Sequence, residues 1–166
     1  MIRQLIVILF LFNAISLNAE PLPAKLSAAV MLKLLSLEQS ISDKKSLSFM
    51  VVNEPGILSF LKKYEGKKVG STLIGQVFEG DLNTKIIPDV IYLGMLNKKE
   101  VDKWFDFIKQ HKLLSFGQSS KLMTKGMVIT IFNDEGVPGV LLNLNASKKL
   151  ELKWNPKVLD VVKVNE

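Results

Sequence analysis

Apolar residues recur at helical spacing in three segments of this chain. The first covers residues 25–40, where leucines and methionine widen the apolar stripe over more than one helical face. The second begins after Pro55 and ends at Gly66. The third begins after Asn97, which forms a capping-box pattern with Glu100 three residues later. These spacings predict three helices.

Short runs rich in β-branched and aromatic residues lie between these segments and predict strands. Four such runs cover residues 47–52, 73–78, 90–93 and 113–116. Helices and apolar strands therefore alternate along this part of the chain. This alternation predicts crossover connections and a largely parallel sheet.

The pattern changes in the last third of the chain. Residues 127–132 and 140–144 have strand character and flank Asn133-Asp134-Glu135-Gly136, a turn-forming tetrapeptide, so we expect an antiparallel hairpin. No internal repeat, low-complexity tract or flexible linker interrupts residues 20–166. We therefore predict a single α/β domain there, with a mixed, mostly parallel sheet flanked by helices and a C-terminal antiparallel hairpin.

The first 19 residues have the pattern of a secretory signal peptide. Arg3 precedes an unbroken apolar run over residues 5–12. Ser16 and Ala19 belong to the segment of small and polar residues that follows this run and ends at the expected cleavage site. The run is shorter than the roughly 20 residues that a membrane-spanning helix needs. We expect cleavage after Ala19 and a periplasmic protein; an uncleaved anchor is the alternative.

Composition narrows the classes of function. The chain has no cysteine, which excludes disulfides, thiol redox chemistry and thiolate metal sites. Its net charge is +6, but the lysines come in scattered pairs without interleaved aromatic residues. This spacing favours a solvated surface over a nucleic-acid groove. For an exported protein, anionic headgroups or an acidic protein face are more suitable targets.

The sequence contains no recognisable catalytic set. His111, the single histidine, lies near the end of the third predicted helix, where a cation stabilises the helix dipole. The nucleophile motif Gly-x-Ser-x-Gly, the zinc motif His-Glu-x-x-His and a glycine-rich phosphate loop do not occur. We therefore predict no catalytic residue, no metal ligand, no cofactor and no enzymatic activity.

Four tracts between residues 113 and 162 match the pattern of a known family. They are Phe116-Gly117-Gln118, Lys125-Gly126-Met127-Val128, residues 142–146 and residues 152–159. In order and spacing they resemble the Gly-Asp, Gly-Gly-Met-Ile, Ile-Asn-x-Asp/Ala-Ala and Leu-x-Ile-Ser-x-x-Leu-Leu tracts of the YfiR family of exported bacterial proteins.

Three positions depart from that family pattern. Gln118 stands in place of an acidic residue, Lys125 in place of the first glycine, and Trp154 in place of an isoleucine. Since Trp154 replaces an aliphatic residue, we expect it to be largely buried. Some members carry paired cysteines that this chain lacks, so redox control is not implied.

The resemblance implies a periplasmic, non-enzymatic regulator. Such a protein binds the outer-facing sensor part of an inner-membrane signalling enzyme, typically a diguanylate cyclase, and holds it inactive; a sensor kinase is a related partner, and nucleic acid is not expected. We expect the partner to contact the apolar first helix and the loop over residues 117–126, with the core as the alternative location of their apolar side chains. The expected contact residues are Leu32, Phe116, Gln118, Leu122 and Met123.

The alternative function is a periplasmic module that binds a small ligand or peptide. Parallel α/β sheets place their crevices at the carboxyl ends of the strands, which is where such a ligand would be held.

Overall fold

The computed structural model of the protein describes residues 21–41 and 44–165. The predicted signal peptide lies outside the described residues. Within them, no helix combines the length and apolar character needed to cross a membrane.

The described residues form strands and helices that largely alternate. The strands are β1 (Ser46–Val52), β2 (Lys68–Val69), β3 (Thr72–Glu79), β4 (Val90–Leu93), β5 (Leu114–Gly117), β6 (Ile129–Asp134), β7 (Val137–Asn143) and β8 (Lys163–Asn165). The helices are α1 (Ala24–Leu35), α2 (Pro55–Lys62), α3 (Lys98–His111), α4 (Leu144–Lys149) and α5 (Pro156–Leu159), with a 3-10 helix at Ser120–Lys125.

All these strands belong to one sheet, in the order β2-β3-β1-β4-β5-β6-β7-β8. Strands β3, β1, β4, β5 and β6 run parallel, and β6 and β7 form an antiparallel hairpin. At the two edges, β2 is antiparallel to β3 and β8 is parallel to β7. The predicted α/β domain, with its mostly parallel sheet and C-terminal hairpin, is confirmed.

Helices cover both faces of the sheet. Phe49 of β1 points into a core with α1 and α2, whereas its neighbour Met50 points into a second core with α3. Strands buried on both faces are expected to be continuously apolar. This explains β4, in which all four residues are buried.

Local signals set the ends of several elements as predicted. Asn97 Oδ1 accepts hydrogen bonds from the backbone N–H groups of Lys99 and Glu100, and Glu100 Oε2 accepts from the Asn97 N–H, which completes the capping box. Glu135 and Gly136 both have positive φ, 53° and 93°, as a tight hairpin turn requires.

The first helix ends at Leu35, earlier than the apolar stripe predicts. The cause is the buried side chain of Glu38, whose carboxylate accepts hydrogen bonds from the backbone N–H groups of Ile41 and Lys153, each at 2.6 Å. The chain therefore turns away from the helix axis and pairs with the C-terminal segment. The short edge strands β2 and β8 carry no periodic signal and were not predicted.

Trp154 is partly buried and packs against the core without being fully enclosed, so the expectation of a largely buried side chain is not contradicted. It lies in the isolated bridge with Glu38 at the periphery of the core, and its Nε1 donates a hydrogen bond to Ser147 Oγ at 2.7 Å. A buried indole N–H requires such a partner.

Candidate functional site

The carboxyl ends of β1, β4 and β5 lie side by side along the side of the sheet where these parallel strands end. We call this side the carboxyl edge, as distinct from the outer strands β2 and β8. After β1 the chain enters α2 on one face, and after β4 it enters α3 on the opposite face. Adjacent strands whose connections leave toward opposite faces open a crevice between their ends. The carboxyl edge is thus the place where this topology provides a site.

Two loops are held together across this crevice. Asn53, which follows β1, has a positive φ of 51°, and its Nδ2 donates a hydrogen bond to the carbonyl oxygen of Met95 at 3.2 Å. A Cβ on Gly94 would lie only 2.4 Å from the carbonyl oxygen of Asn53. Glycine at position 94 therefore lets the loop after β4 approach the loop after β1.

Polar side chains from distant parts of the sequence meet beneath these loops. Gln118, directly after β5, donates a hydrogen bond through Nε2 to Glu54 Oε2 at 2.9 Å. Both side chains are half-buried. Glu54 precedes α2, so this bond joins the ends of β1 and β5 across the central strand β4.

The hydroxyl groups of Tyr92 and Ser27 lie in the interior next to this pair. Both residues are buried, and neither hydroxyl makes a hydrogen bond of good geometry with a described residue. Burial raises the pKa of Tyr92 well above its ordinary value, while the neighbouring Gln118 amide and Ser27 hydroxyl oppose that shift and the Glu54 charge adds to it. The phenol therefore stays neutral to a higher pH than an exposed tyrosine does.

A small cavity opens at the carboxyl edge, between the loop after β4 and the 3-10 helix. Its volume is about 210 Å³, and Leu96, Val101, Gln118 and Leu122 form part of its wall. Met95 stands at its rim with 84% of its surface exposed. The cavity thus combines apolar walls, one amide and an exposed, flexible side chain.

The five expected contact residues divide into two groups. Gln118 and Leu122 line the cavity at the carboxyl edge, as a surface role requires. Leu32, Phe116 and Met123 are only 5%, 0% and 4% exposed, so for these three the alternative location in the core holds and they are not exposed anchors. Leu32 and Phe116 belong to the core between α1, α2 and the sheet, and Met123 packs with α3.

Met95, Glu54 and Tyr92 were missed by the sequence reasoning. A usable signal existed for Met95, since it follows a completely apolar strand and a glycine, which is where a parallel strand ends. Glu54 lies within the turn Asn53-Glu54-Pro55, but its pairing with Gln118 spans 64 positions and leaves no local trace.

The described residues show no cluster of the side chains that usually hold a metal ion. No group of three or more His, Asp or Glu side chains in the described part of the chain could hold a metal ion. His111 is half-buried and its ring lies 4.7 Å from that of Phe107, centroid to centroid, on the same helix. This contact is a packing interaction.

Comparisons with known proteins place the chain in a family. No curated protein matches it. Among solved structures, a conserved domain protein from Vibrio cholerae aligns with a TM-score of 0.59 and 17% identity, covering 87% of this chain and 60% of that one. The ABC domain of a Streptococcus protein in complex with L-Trp aligns with a TM-score of 0.59 and 10% identity, covering 86% and 61%.

At these identities the two structures show the fold alone, and this chain spans about three fifths of their length. The family model described as YfiR/HmsC-like matches residues 24–163, which is nearly the whole described domain. This chain therefore belongs to the YfiR/HmsC-like family, a family of periplasmic regulators of signalling.

Proposed function

We propose that this protein is a periplasmic, non-enzymatic regulator that binds and represses the sensor part of an inner-membrane signalling enzyme of the diguanylate cyclase type. The observation that carries the proposal is the family match over residues 24–163. The proposal includes export and removal of residues 1–19, so that the mature chain begins at Glu20. Measuring the intact mass of the periplasmic protein tests this start.

We place the docking surface at the carboxyl edge. Its exposed apolar anchor is Met95, and Leu122 and Gln118 lie beside it in the cavity wall. Methionine side chains adapt to irregular partner surfaces, and apolar anchors seated in small pockets carry most of the binding energy of an interface. The dispersed lysines, in contrast, are suited to changing the association rate.

The size of this cavity favours protein docking over ligand capture at the same edge. Small-molecule sites usually enclose about 300–1,000 Å³, whereas this cavity encloses about 210 Å³. One side chain of a partner fits such a volume. The alternative function, a small-ligand module acting through the carboxyl edge, is therefore the less favoured hypothesis.

The proposal is tested first in cells. Deleting the gene is expected to raise cellular cyclic di-GMP and biofilm, and crosslinking is expected to recover one membrane cyclase through its periplasmic part. Unchanged cyclic di-GMP together with no recovered membrane partner would contradict the proposal.

The docking surface is tested by charge substitutions on the purified mature protein. Met95→Glu and Leu122→Glu should each weaken binding to the periplasmic part of that cyclase by at least about 30-fold, the effect of losing a hot-spot contact. Val161→Glu is the matched control, because Val161 is 72% exposed beside the edge strand β8. Equal binding by all three variants would move the interface away from the carboxyl edge.

A further inference from the structure

A second cavity, of about 550 Å³, lies at the opposite end of the parallel strands from the carboxyl edge. Leu113 and Val128, which immediately precede β5 and β6, form part of its wall, so it opens at the amino ends of these strands. The end of α3, the end of the 3-10 helix and α4 complete it. Its volume falls within the range of about 300–1,000 Å³ that is usual for small-molecule sites.

The wall of this cavity is apolar at depth. Leu113, Met123 and Val128 are buried core residues, and Ile108 of α3 is also buried. Leu150, after α4, adds a half-buried aliphatic side chain. No aromatic residue lines the cavity, so a nucleotide base would find no stacking partner there.

Four lysines surround this apolar wall, and no acidic residue lines it. They are Lys109, Lys112, Lys125 and Lys149. Lys125 is paired with Asp102, 2.7 Å from Nζ to Oδ1. The other three form no ion pair with any residue of the described chain. The cavity therefore carries a local excess of positive charge.

The buried polar groups of the cavity wall are already satisfied. Asn143 donates through Nδ2 to the carbonyl oxygen of Met123 at 3.1 Å and accepts from the Ala146 N–H at 2.9 Å. These bonds fix the 3-10 helix against α4. A ligand would therefore be recognised by the lysine ammonium groups and the aliphatic wall.

We propose that this cavity binds a small amphiphilic anion, an aliphatic chain that ends in a carboxylate or a phosphate. The chain lies against the aliphatic wall, and the anionic head contacts Lys109, Lys112 and Lys149. Ammonium groups form charge-assisted hydrogen bonds with either head group. This binding site is separate from the proposed regulatory function. Because it lies at the opposite end of the strands from Met95, either proposal can fail without the other.

The first test is calorimetric titration of the mature protein with octanoate, decanoate and octyl phosphate, below their micelle concentrations. Saturable binding of one molecule is expected, with the dissociation constant about fourfold lower for each additional buried methylene. Acetate and inorganic phosphate lack the aliphatic chain, and octanol lacks the anionic head. Each should bind at least about tenfold more weakly than the corresponding amphiphilic anion.

The second test replaces lysines pairwise. The double variant Lys109→Gln with Lys149→Gln is expected to weaken decanoate binding by at least about tenfold, since each change removes a charge-assisted hydrogen bond. Its matched control is Lys103→Gln with Lys148→Gln, which changes the same charge on the same two helices at residues outside the cavity wall. Circular dichroism and thermal melting establish that both variants are folded.

Three results would overturn the proposal. One is the absence of saturable binding of all three amphiphilic anions, and another is equal weakening by the two double variants. The third is binding to phosphatidylglycerol vesicles without binding of the free anions, because this would make the lysines part of a membrane-contact surface. Weakening confined to the Lys109 and Lys149 pair supports the site.

Discussion

Tyr92 is a buried polar residue whose hydroxyl is not matched by its surroundings. The ring is almost fully enclosed between α1 and the sheet, and its hydroxyl lacks a hydrogen bond of good geometry among the described residues. An unsatisfied buried hydroxyl costs roughly 1–3 kcal/mol. The aromatic ring, in contrast, fills a volume that the core needs.

We therefore expect Tyr92→Phe to leave the free energy of unfolding unchanged or to raise it by up to about 1–2 kcal/mol. Tyr92→Ala should lower it by about 3–5 kcal/mol, because it leaves a cavity in the core. Urea unfolding measures both. A loss above about 1 kcal/mol for the phenylalanine variant would show that the hydroxyl has a partner that stabilises the fold.

Tyr92 also affects stability at high pH. Its raised pKa means that above about pH 10, the ordinary tyrosine value, the unfolded chain loses a proton that the folded chain retains. Unfolding is then favoured as the pH rises. The advantage of Tyr92→Phe over the wild type should accordingly grow above pH 10.

At the scale of elements, Asp89 ties the start of β4 to β1. Its Oδ2 accepts hydrogen bonds from both the N–H and the hydroxyl of Ser48, each at 2.8 Å, and Oδ1 accepts from Lys44 Nζ. Burial raises the pKa of Asp89, but the bonds from Lys44 and Ser48 outweigh this effect and hold the pKa below its ordinary value of 3.8. The ionised carboxylate therefore stabilises the pairing of these strands.

Asp89→Asn is expected to lower the free energy of unfolding by about 2 kcal/mol at pH 7, the range found for hydrogen bonds to a charged group. Because the folded pKa is depressed, the contribution is complete above the ordinary value and is lost as the pH falls through the folded pKa. The difference between wild type and variant should therefore narrow below about pH 4 in urea unfolding.

Asp106→Asn is the control for this prediction. Asp106 is exposed on α3, and its replacement should change stability by less than about 0.5 kcal/mol. A difference between wild type and Asp89→Asn that stays constant from pH 7 to pH 3 would disprove the role given to the carboxylate charge.

At the scale of the whole molecule, Glu38 connects the two ends of the described chain. Its side chain makes the hydrogen bonds to Ile41 and Lys153 described above, and its backbone forms an isolated antiparallel bridge with Trp154. Two backbone hydrogen bonds flank this bridge: the Gln39 N–H donates to the Lys153 carbonyl at 2.8 Å, and the Asn155 N–H donates to the Leu37 carbonyl at 3.0 Å. This connection holds the C-terminal segment with α5 and β8 against the N-terminal helix.

Glu38→Ala removes the acceptor from the buried N–H of Ile41 and the partly buried N–H of Lys153 and is expected to cost about 2–4 kcal/mol, because an unsatisfied buried donor costs about 1–3 kcal/mol. Hydrogen exchange of the C-terminal amides, together with urea unfolding, measures the effect. Glu79→Ala, on an exposed strand position, is the control and should be nearly neutral. Equal unfolding midpoints for the two variants would be incompatible with this connection.

Much of the fold follows from signals that are local in the sequence. The capping box at Asn97, the continuous apolar run of β4 and the turn at Glu135-Gly136 each involve residues within a few positions of one another. Short-range sterics, hydrogen bonding and the apolar pattern of a single run are enough to locate such features in the sequence. Helices α1, α2 and α3, the main strands and the hairpin were therefore predictable, and so was the α/β class that follows from their order, whereas α4 and the 3-10 helix gave no such signal.

Tertiary structure alone decided which side chains could serve as a site. Leu32 and Phe116 are as apolar as any surface anchor, and only the packing of α1 on the sheet buries them. Other features depend on residues that are far apart in the chain. Examples are the bond between Glu54 and Gln118, the bond between Glu38 and Lys153, and the group of lysines around the second cavity. Long-range contacts form only when the sheet order places these residues together, and single-sequence periodicity carries no record of that order.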